Sequence, residues 1–228
     1  YTLTLHFLTK NNPISNFLLY PWGNFDGVYY LLIAAKGYTV NAGFFPLFPL
    51  SIKIVSLIFG AVLPFDPRQY FTALILVSIY FFLAIVVMYK LIIIDYKKNT
   101  AFWSIIFMLV FPTSFFFVSL YSESLFLLLT LLCFYFARKK KWLTASMIGA
   151  LLTATRVVGI SIFPALLYEF IKSEKSFFKT KVLYLLLSPL GLLAYMSFNL
   201  FKWGNALYFV KAQGNLQNNR TVDSIVLF

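Results

Sequence analysis

The sequence predicts an all-α membrane protein that crosses the bilayer several times. Of its 228 residues, 61% are hydrophobic and only 11% are charged, whereas an ordinary soluble domain is about half apolar and about one quarter charged. Mean hydropathy is +0.84, and several apolar runs have the length of about 20 residues that a helix needs to span a bilayer. Lipid must therefore solvate much of this chain.

The charged, cysteine and histidine residues exclude several classes of site. The net charge of +12 comes from Lys and Arg in short loops between apolar runs, a pattern that orients membrane proteins, so we predict no nucleic-acid partner. Cys133 is the single cysteine and His6 the single histidine. An intrachain disulfide is therefore excluded, and neither a histidine-rich metal site nor a Ser-His-Asp triad is expected.

Five apolar runs predict the helices of a transmembrane region at residues 70–201. Pro112 predicts a break at residues 111–113, between the second and third runs, and Pro189 and Gly191 predict a kink in the last run. Residues 1–10 resemble the remnant of a first span, and residues 202–228 a loop leading to a further span. We therefore expect one domain over 1–228, truncated at both ends. The five runs are 70–94, 101–120, 121–137, 142–170 and 182–201.

Basic loops predict the orientation of these helices. The cluster at 138–141 is the densest and is expected in the cytoplasm, as is the cluster at 95–98 two spans earlier. The junction at 120–123 then lies outside. Residues 172–181 contain four lysines and also favour the cytoplasm.

With both flanking loops inside, the run 142–170 has to cross the membrane twice or not at all. Two short helices that meet at Arg156 and Gly159 satisfy this requirement and place Arg156 at the outer turn. The alternative is one tilted span with a buried arginine, which is costly without a partner. We favour the hairpin.

The run 44–63 permits two interpretations. It has the length of a span but contains Pro46, Pro49, Lys53 and Gly60. It either crosses the membrane or lies along its surface, where Ile52 and neighbouring apolar residues give a weak amphipathic pattern. Counting of spans leaves both open.

Asp26 is the first candidate for chemistry because acidic residues are scarce. It lies in an aromatic stretch between membrane segments, residues 21–30, where Trp and Tyr favour the headgroup level. Gly27 beside it permits a sharp turn or a close approach to a ligand. The alternative is an Asp that only caps the following helix.

Glu123 and Arg156 are the second and third candidates. An acid at membrane depth indicates function, although Glu123 at a helix start also favours the helix dipole. Arg156 is the natural partner of either carboxylate or of a lipid phosphate. In the predicted topology Asp26, Glu123 and Arg156 all lie on the outer face, opposite residues 138–141.

The motifs around these residues resemble those of the PIG-V-like mannosyltransferases. Residues 25–38 (FDGVYYLLIAAKGY) and 44–50 (FFPLFPL) are similar to the family's WDGxxYxxIAxxGY…FFPLxPL signature. Residues 111–126 contain its YSESLF sequence, residues 155–159 (TRVVG) resemble its TRxxG, and residues 203–213 resemble a later segment that ends in Gln. The matches follow the family's order from about residue 22 to residue 213.

This resemblance implies a GT-C fold, an inverting mannosyltransferase and a polyprenyl- or dolichyl-phosphate sugar donor. It places residues 11–69 in an extracytoplasmic loop with membrane-surface helices and makes Asp26 the catalytic base. It also implies that donor phosphate and acceptor are bound by Arg156, Glu123, Tyr121 and Gln213. The family's Trp before the Asp is Phe25 here, a conservative difference.

The resemblance further implies partners and a location. The acceptor is a glycolipid or glycan, and the enzyme is a multi-pass protein of the bacterial plasma membrane, or of the endoplasmic reticulum in a eukaryote. It implies no cofactor besides the donor, and the sequence neither requires nor excludes a divalent metal. The rival hypotheses are a transporter or lipid flippase, for which we find no repeated halves with paired broken helices, and a non-catalytic scaffold, which gives no reason to gather three charged residues.

Overall fold

The computed structural model describes residues 20–39, 42–60, 63–64, 66–174 and 180–214. No strand occurs in these ranges, so the all-α prediction is confirmed. Residues 1–10, with His6, and the end of the predicted loop 202–228 lie outside them. The α-helices, numbered α1 to α8 in chain order, are Asp26–Lys36, Leu47–Ile58, Pro67–Asp95, Lys98–Val110, Glu123–Arg138, Trp142–Thr153, Ile162–Glu174 and Leu190–Trp203. Short 3₁₀ segments are Tyr20–Gly23, Pro112–Phe117, Val157–Ser161 and Thr180–Leu187.

Helix α3 is the longest helix among the described residues. Its 29 residues give it a length of about 43 Å. Asp66 caps its start by accepting a hydrogen bond from the Arg68 N–H at 2.8 Å, and Pro67 occupies the first helical position, where no amide donor is needed. Among the described helices, α3 alone is long and apolar enough to cross a membrane by itself. The predicted run 70–94 lies inside it.

The predicted span 101–120 is wrong in its second half. Helix α4 ends at Val110, and Phe111 is extended with φ −68° and ψ 135°. Pro112 causes this end because its ring disfavours a helical conformation in the preceding residue. The apolar run then continues as the 3₁₀ segment Pro112–Phe117, and α5 begins only at Glu123.

Residues 142–170 form the predicted hairpin. Trp142 at the start of α6 packs edge-on against Phe170 near the end of α7, with ring centroids 5.0 Å apart. Trp142 also donates from Nε1 to Glu174 at 3.4 Å. The chain therefore reverses between the two helices, where Gly159 lies so close to α6 that a Cβ would be 2.8 Å from the Leu152 carbonyl oxygen.

The last predicted run is broken where Pro189 predicted a kink. The segment Thr180–Leu187 and helix α8 meet at an angle of 42° and together pass the length and hydropathy test for a span. Thr153 of α6 fills the break: its Oγ1 donates to the Ser188 carbonyl at 2.9 Å and accepts from the Leu192 N–H at 3.3 Å. These bonds satisfy backbone groups that the break would otherwise leave unpaired.

Helix α2 replaces most of the ambiguous run 44–63. Its 12 residues extend about 18 Å. Phe48 and Ile52 are fully buried against the bundle, whereas Ile54 and Ile58 on the other side are exposed. The Leu47 N–H donates to the Ala154 carbonyl at 3.0 Å, which ties the start of α2 to the end of α6.

Arg138 joins the ends of three helices. It donates to Asp95 at the end of α3 and to Glu169 of α7, the latter at 3.4 Å. Together with Trp142 and Glu174, these residues define what we call the Arg138 end of the bundle. The lysine cluster 139–141 follows directly and is exposed. A single arginine thus bonds to two carboxylates where the basic loops begin.

We expect Gly191→Ala to destabilise the fold. A Cβ at this position would be 1.9 Å from the Ala150 carbonyl oxygen and 2.8 Å from the Ala154 nitrogen, both backbone atoms that cannot move aside. Overpacking of this kind costs about 1–3 kcal/mol. The thermal midpoint of the purified protein should fall, while Gly214→Ala, where no atom of the described residues lies within 4 Å of a Cβ, should leave it unchanged. Equal midpoints for the two variants would contradict this close packing.

Candidate active site

Asp26 is the first residue of α1. Phe25 occupies the N-cap position with φ 51° and ψ −115°, and its side chain makes no capping hydrogen bond. Asp26 is therefore not the N-cap residue of α1, and as an acid in the first turn it favours the helix dipole. A positive φ is unusual for a bulky residue and is typical of strained functional loops. Asn24 stabilises this turn, because its Oδ1 accepts from the Phe25 N–H at 2.9 Å.

Two glycines bring the Asp26 loop against the segment before α5. A Cβ at Gly23 would be 2.8 Å from the Leu120 side chain, and one at Gly27 would be 3.1 Å from the Leu120 carbonyl oxygen. The Leu120 N–H donates to the Trp22 carbonyl at 2.7 Å. The loop and this segment thus touch through their backbones, which only residues without a side chain permit.

Tyr121 adds a second link between the two segments. Its hydroxyl donates to the Asn24 carbonyl at 3.3 Å, and its ring packs edge-on against Phe116 at a centroid distance of 5.4 Å. Tyr121 is half-buried. It therefore contacts the loop two residues before Asp26 and directly precedes Ser122 and Glu123.

Glu123 and Arg156 form an ion pair. Glu123 lies at the start of α5 and Arg156 at the turn of the hairpin, and Arg156 donates from Nη1 to Glu123 Oε1. The Arg156 side chain is 42% exposed and that of Glu123 28% exposed. Glu123 Oε2 is buried and has no hydrogen-bond partner within the described ranges. Among the described residues, Glu123 Oε2 and N–H groups of Arg156 thus remain able to form further hydrogen bonds.

Tyr30 lies among these charges. It is one helical turn after Asp26, and its hydroxyl donates to Ser122 Oγ at 3.1 Å. Burial raises the pKa of Tyr30; the hydrogen bond with Ser122 and the charge of Arg156 oppose the rise, and Glu123 and Asp26 add to it. The hydroxyl therefore stays protonated at neutral pH and can act as a donor.

The electrostatics of Arg156 connect it to both carboxylates. Burial lowers the pKa of Arg156, but Glu123, with a smaller contribution from Asp26, raises it by more, so that the net change is upward. We call the group Asp26, Tyr30, Ser122, Glu123 and Arg156 the Arg156 end. Helix α5 runs from Glu123 here to Arg138 at the other end, a distance of about 22 Å along its axis.

Gln213 is not part of this group. It is exposed on residues 208–214, which are helical, and Phe209 of that segment packs against Phe45 and Tyr195. The role of Gln213 in binding donor phosphate or acceptor stays a prediction.

Tyr30 and Ser122 are the members of the group that sequence reasoning missed. The available signal was spacing: Tyr30 is four residues after Asp26 on a predicted helix, which places both on one face. Ser122 directly precedes Glu123. Neither signal identifies their contact, because 92 residues separate the two positions.

The arrangement places the Asp26 carboxylate beside the Glu123–Arg156 ion pair at one end of a helical bundle. Within the described residues, no group of three or more His, Cys, Asp or Glu side chains lies together in a way that could hold a metal ion. The groups present can take up a proton through Asp26 and bind a phosphate through Arg156.

Comparisons with known proteins identify a family whose model matches this sequence. The family model described as "Mannosyltransferase (PIG-V)" matches residues 8–210, a range that contains every member of the Arg156 end. No curated protein and no solved structure matches the chain. Because the family model covers most of its length, this chain belongs to the PIG-V mannosyltransferase family.

Proposed function

We propose that this protein transfers mannose from a polyprenyl- or dolichyl-phosphate donor to a glycolipid or glycan acceptor, with inversion at the anomeric carbon. Family membership implies glycosyltransferase activity, with mannosyl transfer as its expected form. The observation that supports the finer proposal is the gathering of Asp26, Glu123 and Arg156 at one end of the bundle. The fold of the whole enzyme is then of the GT-C type.

The proposed reaction needs few protein groups. Asp26 accepts the proton of the acceptor hydroxyl while that oxygen attacks the anomeric carbon, and the bond from this carbon to the phosphate oxygen breaks. The phosphate departs as an anion and needs no protein acid, so a single carboxylate is sufficient. Attack on the face opposite the phosphate inverts the configuration.

Arg156 is the proposed phosphate ligand. A guanidinium has five N–H donors, and the bond from Nη1 to Glu123 engages one of them. The others can hold two phosphate oxygens in a bidentate manner. Glu123 then orients the guanidinium and can accept a hydrogen bond from a hydroxyl of the acceptor. Tyr121 supports the same site through Asn24.

We further propose a multi-pass membrane enzyme with the Arg156 end outside the cytoplasm. Members of this family are membrane enzymes, and exposed apolar side chains cover α3 and α4, such as Phe71, Phe82 and Phe107. Lipid is the solvent that such faces require. The lysine cluster at the Arg138 end then faces the cytoplasm, in the plasma membrane of a bacterium or the endoplasmic reticulum of a eukaryote, and α2 lies along the outer surface.

We expect Asp26→Asn to abolish most of the activity. The amide preserves size but cannot accept the proton, and loss of a general base typically costs about 10²–10⁴-fold in rate. Transfer from a labelled polyprenyl-phosphate sugar should collapse, whereas donor binding and expression should persist. Asp26→Glu should recover little, because a methylene moves the carboxylate by about 1 Å.

Asp66→Asn is the matched control for this substitution. Asp66 is an acid that pairs with the exposed Arg68, so its loss should leave turnover near that of the wild type. If Asp26→Asn also turned over at the wild-type rate, Asp26 would not be the base and Glu123 would be the next residue to test.

We expect Arg156→Lys to impair transfer although it preserves the charge. A lysine ammonium lacks the planar fork that can contact Glu123 and a phosphate at once. The measurement is the apparent KM for the donor together with kcat, and Arg68→Lys, at an arginine with a 65% exposed side chain, is the control. Full activity in Arg156→Lys would indicate that the pair has a purely structural role.

A further inference from the structure

Tyr30 makes a hydrogen bond that a role in core packing does not require. Its ring packs edge-on against Phe44 and Phe48, with centroid distances of 5.0 and 4.8 Å, and its side chain is almost fully buried. A phenylalanine would make these contacts equally well. What distinguishes Tyr30 is the hydroxyl, which is directed at Ser122 Oγ, 3.1 Å away.

This hydrogen bond connects the two parts of the site. Tyr30 is one turn after Asp26, so displacement of Tyr30 displaces the Asp26 carboxylate with the rigid α1 helix. Ser122 is the N-cap residue of α5, directly before Glu123. The bond therefore fixes the separation between Asp26 and the carboxylate that holds Arg156.

Two other hydrogen bonds between these segments act on residues before α1. Leu120 and Tyr121 bond to the carbonyls of Trp22 and Asn24, which precede α1, where the positive φ of Phe25 intervenes before the helix begins. The Tyr30 hydroxyl acts on α1 itself. Its target, Ser122, is 1% exposed, so water cannot readily take the place of either partner.

We propose that Tyr30 is a positioning residue for the transfer reaction, acting through Ser122 to hold Asp26 at the correct distance from the Glu123–Arg156 pair. The inference rests on the proposed function, in which Asp26 receives the acceptor proton. Tyr30 takes no part in proton transfer itself. Its hydroxyl sets geometry, and a site displaced by about 1 Å can lose up to about 10²-fold in rate.

The test is a double-mutant cycle with Tyr30→Phe, Ser122→Ala and both together. Each single variant should lower kcat about 10-fold or more, with the KM for the donor unchanged because Arg156 keeps its place. The double variant should be no slower than either single variant, because all three lack the same bond. Tyr29→Phe is the matched control: Tyr29 stacks on the same Phe44 ring at 5.1 Å, and its turnover should equal that of the wild type.

A second readout does not depend on activity. Amide hydrogen exchange in the first turn of α1 should quicken in Tyr30→Phe and in Ser122→Ala but not in Tyr29→Phe. Multiplicative rate losses in the double variant, or unchanged exchange at α1, would overturn the positioning role. A wild-type rate in Asp26→Asn would instead refute the proposed base, so the two failures can be told apart.

Discussion

The Glu123–Arg156 ion pair is the interaction on which the geometry of the site depends. Its two residues are 33 positions apart and belong to the start of α5 and to the turn between α6 and α7. A charge at the edge of an apolar bundle is costly without a partner, so the pair fixes the level at which this turn meets α5. Arg138 serves the opposite end of α5 in the same way, through Asp95 and Glu169. Each end of α5 thus carries an arginine paired with carboxylate, and α5 has no charged side chain between Glu123 and Arg138.

The position of Asp26 then follows from backbone contacts. Gly23 and Gly27 allow the loop around Asp26 to approach Leu120, three residues before Glu123, more closely than any side chain would permit. The Tyr30 hydroxyl adds a bond from α1 to the N-cap of α5. Packing of small residues and one buried hydrogen bond thus place a carboxylate beside an arginine that a distant part of the chain supplies. In the proposed function, this carboxylate is the base and this arginine the phosphate ligand.

Local signals in the sequence predicted much of this fold. Charge in the flanking loops predicted the hairpin at Arg156, and Pro189 predicted the break before α8, because each acts on neighbouring residues. The sequence indicated a break at residues 111–113, but the predicted span continued to Leu120 because hydropathy stays high beyond Pro112, whereas α4 ends at Val110. Long-range contacts account for the rest: a bond between Tyr30 and a serine 92 residues away has no signature in a single sequence.

The measurement that tests the central claim most directly is the sidedness of the two ends. In a Cys133→Ala background, single cysteines at Phe25 and Lys140 would be treated with a membrane-impermeant maleimide on intact cells. Both positions are exposed, so the maleimide can reach a cysteine thiol at either one from the side on which it lies. The account predicts labelling at position 25 from outside and at position 140 only after permeabilisation. Labelling at position 140 but not at position 25 in intact cells would contradict it.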